Sequence, residues 1–121
     1  MTRVRVVEAW QASYVDPIAV AKGDRMTLTA RTEKWDGHLW IWARCDDGRE
    51  GWVPNTLAEA AGDGHVASRD YTAQELTCAA GQVLTAIERS HGWVFCEDAA
   101  LNRGWVPDRN LGLLDVQVGR P

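Results

Sequence analysis

Gly51-Trp52-Val53-Pro54 returns as Gly104-Trp105-Val106-Pro107, and this repetition decides how the chain is read. Working upstream, Trp40-Ile41-Trp42-Ala43 overlays Trp93-Val94-Phe95-Cys96. Gly23-Asp24-Arg25-Met26-Thr27 overlays Gly81-Gln82-Val83-Leu84-Thr85, and Pro17-Ile18-Ala19-Val20 overlays Glu75-Leu76-Thr77-Cys78. The blocks keep their order and only the loops differ in length. A chain of 121 residues would ordinarily be read as one domain, but the internal repeat makes it two units. The expected boundaries are 1–58 for the first unit, 59–65 for a short linker, 66–115 for the second unit and 116–121 for a C-terminal tail. Units this small have marginal cores, so the two are expected to pack against each other.

Period-2 patterning gives the local structure. Arg3-Val4-Arg5-Val6 alternates polar and apolar, as a half-buried strand does. Met26, Leu28 and Ala30 alternate with Arg25, Thr27 and Thr29. Ile41 and Ala43 face one way, Trp40 and Trp42 the other. Asp46-Asp47-Gly48 reads as a hairpin turn in which Gly supplies positive φ. Pro54 and Pro107 end their strands because Pro cannot donate to a ladder. No stretch keeps a 3.6-residue period over ten residues, so the fold class is all-β. In the second unit, aligning Leu84 with Met26 sends Leu84 inward and leaves Val83 and Ile87 outward or at a bulge.

Composition excludes several functions. The formal charge is −4 with charges of both signs scattered along the chain, which is unlike the basic stripe of a nucleic-acid binder. No apolar run approaches the ~20 residues of a membrane-spanning helix. The opening Met1-Thr2-Arg3-Val4-Arg5-Val6 lacks the apolar stretch of a secretory signal, so a cytoplasmic location is expected. Cys45, Cys78 and Cys96 have no paired spacing and read as free thiols. Cys78 and Cys96 align with Val20 and Ala43, both expected in the core, whereas Cys45 lies near a turn.

In this order and twice over, these residues resemble SH3 modules of the variant, tandem kind described in bacterial proteins. The first unit shows Ala21-Lys22-Gly23-Asp24, Trp40 and Gly51-Trp52-Val53-Pro54. The second shows Ser68-Arg69-Asp70-Tyr71, Glu75-Leu76, Gly81, Trp93 and Gly104-Trp105-Val106-Pro107. The resemblance implies two tandem, partly open, SH3-like small β-barrels. It also implies an aromatic groove in each for extended, proline-rich peptides, which lose little entropy on docking. The groove positions fall on Trp10, Asp16, Trp40 and Pro54 in the first unit, and on Tyr71, Glu75, Trp93 and Pro107 in the second. The first tyrosine of the family motif is replaced by Glu8 and Arg69. The aromatic after the groove proline is replaced by Leu57 and Asn110. Each groove thus keeps part of its aromatic wall, which leaves the ligand class open.

Trp42 and Trp52, with Phe95 and Trp105 in the equivalent places, are expected on the outward face of adjacent strands. Such aromatic pairs either cover the barrel and join the units or form a partner surface. Trp35 lies in the longer loop Thr32–His38 and is a further candidate interface residue. His38, His65 and His91 show no metal spacing with one another or with the cysteines. Asp46-Asp47 and Glu97-Asp98 sit at expected turns, where carboxylates cap backbone N–H groups. No Ser-His-Asp set, phosphate loop or redox cysteine pair is visible, so neither an enzyme nor a cofactor or metal is expected. The resulting expectation is a non-enzymatic, adaptor-like pair of protein- or peptide-binding modules. Two alternatives stay open: a cell-wall or glycan binder, and a structural accessory subunit forming a homodimer or permanent complex.

Overall fold

The computed structural model describes residues 2–114; the expected tail 116–121 and residue 115 lie outside them. Twelve strands run β1 Thr2–Val6, β2 Ala19–Val20, β3 Arg25–Trp35, β4 His38–Cys45, β5 Glu50–Pro54, β6 Ala58–Ala61, β7 Gly64–Ala67, β8 Tyr71–Thr72, β9 Val83–Ser90, β10 Trp93–Glu97, β11 Arg103–Pro107 and β12 Leu111–Leu113. A 3₁₀ turn, Asp108–Asn110, precedes β12. Among the described residues there is no α-helix, so the all-β class holds.

The strands form two five-stranded sheets with orders β11-β10-β9-β1-β12 and β5-β4-β3-β7-β6, and a small β2-β8 sheet. The end strands of each large sheet are not bonded to one another, so neither sheet is a closed barrel; the expectation was of partly open ones. After β5 and β11 the chain turns at Pro54 and Pro107, which lack the N–H a continuing ladder needs.

Two compact units result, but their membership differs from the expected boundaries. One unit is continuous, Tyr14–Gln74. The other is split, combining the chain up to Ser13 with everything from Glu75 onward. Strand β1 therefore leaves the first repeat. It lies between β9 and β12, with Val4 opposite Leu84 and Leu113. Strand β7, from the second repeat, fills the matching slot between β3 and β6, with His65 opposite Met26 and Ala60. The physical reason is the turn between them. Ala61 pairs with Gly64, so only Gly62 and Asp63 join β6 to β7, and Gly62 adopts φ +63°. A two-residue hairpin loop must return the chain antiparallel beside the strand it has just left. The expected linker is therefore a hairpin, and β1 is displaced.

Each unit has its own core. The split unit buries Val4, Val6, Leu76, Cys78, Leu84, Val94, Cys96 and Val106. The continuous unit buries Ile18, Val20, Met26, Ala43, Cys45, Val53, Leu57 and Ala67. Leu84 takes the inward position expected of it. Phe95 pairs with Glu88 and Cys96 with Ala86, which leaves Ile87 as the bulged residue. Cys45, near its turn, is buried as well. Trp35 does not lie in a loop: β3 runs on to it, and Trp35 pairs with His38 across the two-residue turn Asp36-Gly37. Both turn residues have positive φ, 53° and 81°, the signature of a tight hairpin.

Candidate functional site

In the split unit, β10 and β11 set Trp93 opposite Pro107. Trp10 reaches them along the arm that follows β1, bridged antiparallel to Cys78. Its ring stands edge-on to Trp93, with centroids 5.5 Å apart at 83°, the arrangement that sets a positive ring edge against a negative face. The Trp10 indole N–H donates to Glu75 Oε1 at 3.1 Å, and the Ser13 N–H donates to the same oxygen at 2.9 Å. Asn110, in the position where the resemblance expects an aromatic, is buried. Its Nδ2 donates to the carbonyls of Glu8 and Ala9, each at 3.1 Å. Asn110 therefore holds the arm that carries Trp10.

In the continuous unit, Trp40 lies opposite Pro54, and Tyr71 takes the position equivalent to Trp10. Tyr71 is paired with Val20 and donates its hydroxyl to the Trp52 carbonyl at 3.0 Å. Asp16 forms an exposed ion pair with Arg49 at 3.5 Å. The sequence grouped Trp10 with Trp40 and Tyr71 with Trp93; the structure regroups them, because each arm follows its exchanged strand. It also buries much of what was expected to line a groove. Trp40 and Trp93 are each 8% exposed, Pro54 and Pro107 are buried, and Trp10, Tyr71 and Glu75 are half-buried.

The candidate interface residues separate in the same way. Trp42 and Trp52 are cross-strand partners, half-buried, with ring centroids 5.1 Å apart. Phe95 and Trp105 make the equivalent pair at 5.1 Å, but Trp105 is 7% exposed rather than outward. Glu75 bridges beside it, and the Trp105 carbonyl accepts the Leu76 N–H at 3.0 Å. Trp35 is half-buried. Three residues on the Trp42 face were not anticipated: Tyr14, Arg31 and Glu50. Tyr14 sits 5.6 Å from Trp42, and Glu50 accepts the Trp42 indole N–H at 2.6 Å. Arg31 lies over both tryptophans. The residue spacing of β3 alone cannot reveal it, since a bulge between Leu28 and Thr32 sets where Arg31 points.

One carboxylate of each pair, Asp47 and Asp98, caps its turn, while Glu97 pairs with Arg103. Asp47 accepts the Cys45 thiol at 3.0 Å and the Arg49 backbone N–H at 3.0 Å, and these bonds lower its pKa to about 2. Asp98 accepts the Asn102 and Ala100 N–H groups, which lowers its pKa too, Asn102 contributing most. Burial raises the pKa of all three thiols, that of Cys96 to about 11, which suppresses the thiolate that thiol chemistry requires. Among the described residues no group of three or more His, Cys, Asp or Glu is placed to hold a metal ion.

Residues 3–59 match a family model described as variant SH3 domain. The match supports an SH3-like protein. It is contiguous in sequence yet divided in structure, since β1 lies in the split unit and β2–β6 in the continuous one. No curated protein and no solved structure matches the chain.

Proposed function

We propose that the chain is a non-enzymatic, adaptor-like pair of SH3-type modules that binds an extended segment of a partner protein. The observation that carries this reading is the convergence of Trp10, Glu75, Trp93 and Pro107 in the split unit. Trp10 is half-buried against a buried Trp93–Pro107 floor, with a carboxylate alongside. A proline-rich strand offers flat apolar rings to such an edge and needs little ordering to bind. The SH3-type match supports a binding module in general.

A second reading, a structural accessory subunit, draws on the continuous unit. There Trp40, Pro54 and Leu57 are all buried, which leaves little aromatic slot for a peptide.

The test is an NMR titration of the tryptophan indole N–H signals with pooled proline-rich peptides, then with muropeptides. Shifts of Trp10 and Trp93 with the peptides are expected. Shifts with muropeptides alone would move the function to glycan binding. Silence with both, together with a mass that rises with concentration, would favour the structural subunit.

A further inference from the structure

The split unit is built from two pieces of chain that lie on either side of the continuous unit in sequence. Its N-terminal arm contributes a central strand, not an edge. β1 pairs with β9 from Thr2 to Arg5 and with β12 from Val4 to Val6, and Val4 and Val6 are each 1% exposed. Beyond β1, the Trp10 N–H donates to the Cys78 carbonyl at 3.0 Å and the Cys78 N–H to the Trp10 carbonyl at 2.9 Å. The Ala12 N–H donates to Thr77 Oγ1 at 3.0 Å. Residues from Glu75 onward thus form an acceptor slot that the arm fills.

Two observations bear on which arm fills it. The connection Tyr14-Val15-Asp16 is exposed throughout, with Val15 at 96%. Tyr14 lies against Trp42, and Asp16 pairs with Arg49, so both hold to the surface of the continuous unit. Meanwhile β7 already occupies the slot between β3 and β6. An arm released from its place therefore finds no vacancy in the continuous unit. The slot that fits it lies between β9 and β12 of a split unit, its own or that of another copy.

We propose that the arm is exchanged between two copies of this chain, β1 and Trp10 of each completing the split unit of the other. Exchange reproduces every arm contact between chains, so only the course of Tyr14-Val15-Asp16 has to change. A short tether holds the arm at an effective concentration in the millimolar range. Dilute chains therefore close on themselves, and exchange grows when chains fold at comparable concentration. Leaving the slot means extracting a central strand, so the two forms interconvert slowly and a dimer once made persists on dilution. In the exchanged dimer the groove is composite, with Trp10 of one protomer standing against the partner's Trp93. The exchange does not depend on what that groove binds.

The test unfolds the full chain in urea and refolds it at about 10 μM and at about 1 mM, below and within the tethered range. Mass is then read by size exclusion with light scattering after dilution to one common concentration. A dimer that increases with the refolding concentration and survives dilution is expected. An equal mixture of ¹³C-labelled and unlabelled chains, unfolded together and refolded at the higher concentration, is expected to show isotope-filtered contacts between the Val4 and Leu84 methyl groups of different chains. A chain that stays monomeric at both refolding concentrations would overturn the proposal. So would a dimer without the Val4–Leu84 contact between chains, which would be a surface association.

Discussion

Trp10 donates its indole N–H to Glu75 across 3.1 Å, although 65 residues separate them in the chain. The bond exists because the arm that bears Trp10 follows β1 into the sheet of the second repeat. A carboxylate acceptor strengthens an indole hydrogen bond, so its loss is visible at the donor. Glu75→Ala is expected to move the Trp10 indole N–H signal strongly, to leave that of Trp40 in place, and to cost about 1 kcal/mol. A Trp10 signal insensitive to Glu75 would return Trp10 to the first repeat's sheet.

The strand exchange also sets which fragments fold. Residues 14–74 contain β2–β8 and a complete core around Ile18, Leu57 and Ala67. A unit of this size is marginal but can stand alone. The fragment 14–74 is expected to unfold cooperatively in urea with a stability of about 3–5 kcal/mol. The fragment 1–60 contains β1 but lacks β7, and is expected to show no dispersed indole signals. The reverse result would mean that the sequence repeats, not the exchanged units, are the folding units.

Much of this fold was legible in the residues, and what was not has a clear cause. Side-chain alternation placed Leu84 and Met26 inward, because a strand's two faces follow from its period, and left Ile87 either outward or at a bulge; the register of β9 against β10 makes it the bulged residue. The partner of β1 was not legible. Arg3-Val4-Arg5-Val6 presents the same apolar pair to Leu84 as it would to Met26, so pattern alone fits either sheet. The decision rests on Gly62-Asp63, where two residues suffice for a hairpin and the apparent linker becomes a turn. How the residues expected to line each groove are grouped depends on that same turn. Arg31 was hidden for another reason: a bulge re-aims one residue without leaving a periodic signal.

Gly104 tests how tightly the second arm is docked. A Cβ there would lie 2.6 Å from the Glu75 carbonyl carbon and from the Leu76 nitrogen, both backbone atoms that cannot yield without moving the arm. Gly104→Ala is expected to cost at least about 1–3 kcal/mol, as overpacking does. It is also expected to perturb the Trp10 signal through Glu75. Gly51 occupies the aligned position in the continuous unit, where the nearest atom is the Ile18 Cγ2 at 3.0 Å. A side chain can give way more easily, so Gly51→Ala is expected to cost less. Urea denaturation of the two variants measures the order, and an inverted order would refute the docking.

Asn110 and Leu57 occupy aligned positions with opposite chemistry. Leu57 is fully buried in an apolar core, whereas Asn110 is 4% exposed and satisfies two carbonyls of the Trp10 arm. Asn110→Leu leaves both carbonyls without that donor, and an unsatisfied buried polar group costs about 1–3 kcal/mol. The variant is expected to lose stability in that range and to show faster amide exchange from Glu8 to Trp10. Exchange unchanged in that segment would show that Asn110 does not hold the arm.

Asp47 provides a pH-dependent test whose sign is fixed by its bonds. Its pKa in the folded chain is about 2, below the ordinary 3.8, first through the Cys45 thiol and then through the Arg49 backbone N–H. A carboxylate depressed in the folded state contributes stability that is fully present above its ordinary pKa. That contribution is lost as the pH falls from near 4 toward 2. Replacing the thiol removes the largest cause while leaving the Arg49 bonds, so Cys45→Ala is expected to raise the Asp47 pKa part of the way back toward 3.8. The Asp47 carboxyl carbon, followed by NMR from pH 6 to 1.5 in both proteins, reads this directly. An Asp47 titration unchanged by Cys45→Ala would assign the shift to Arg49 alone. The Cys45 thiol would then be a packing group rather than the donor that organises the β4–β5 turn.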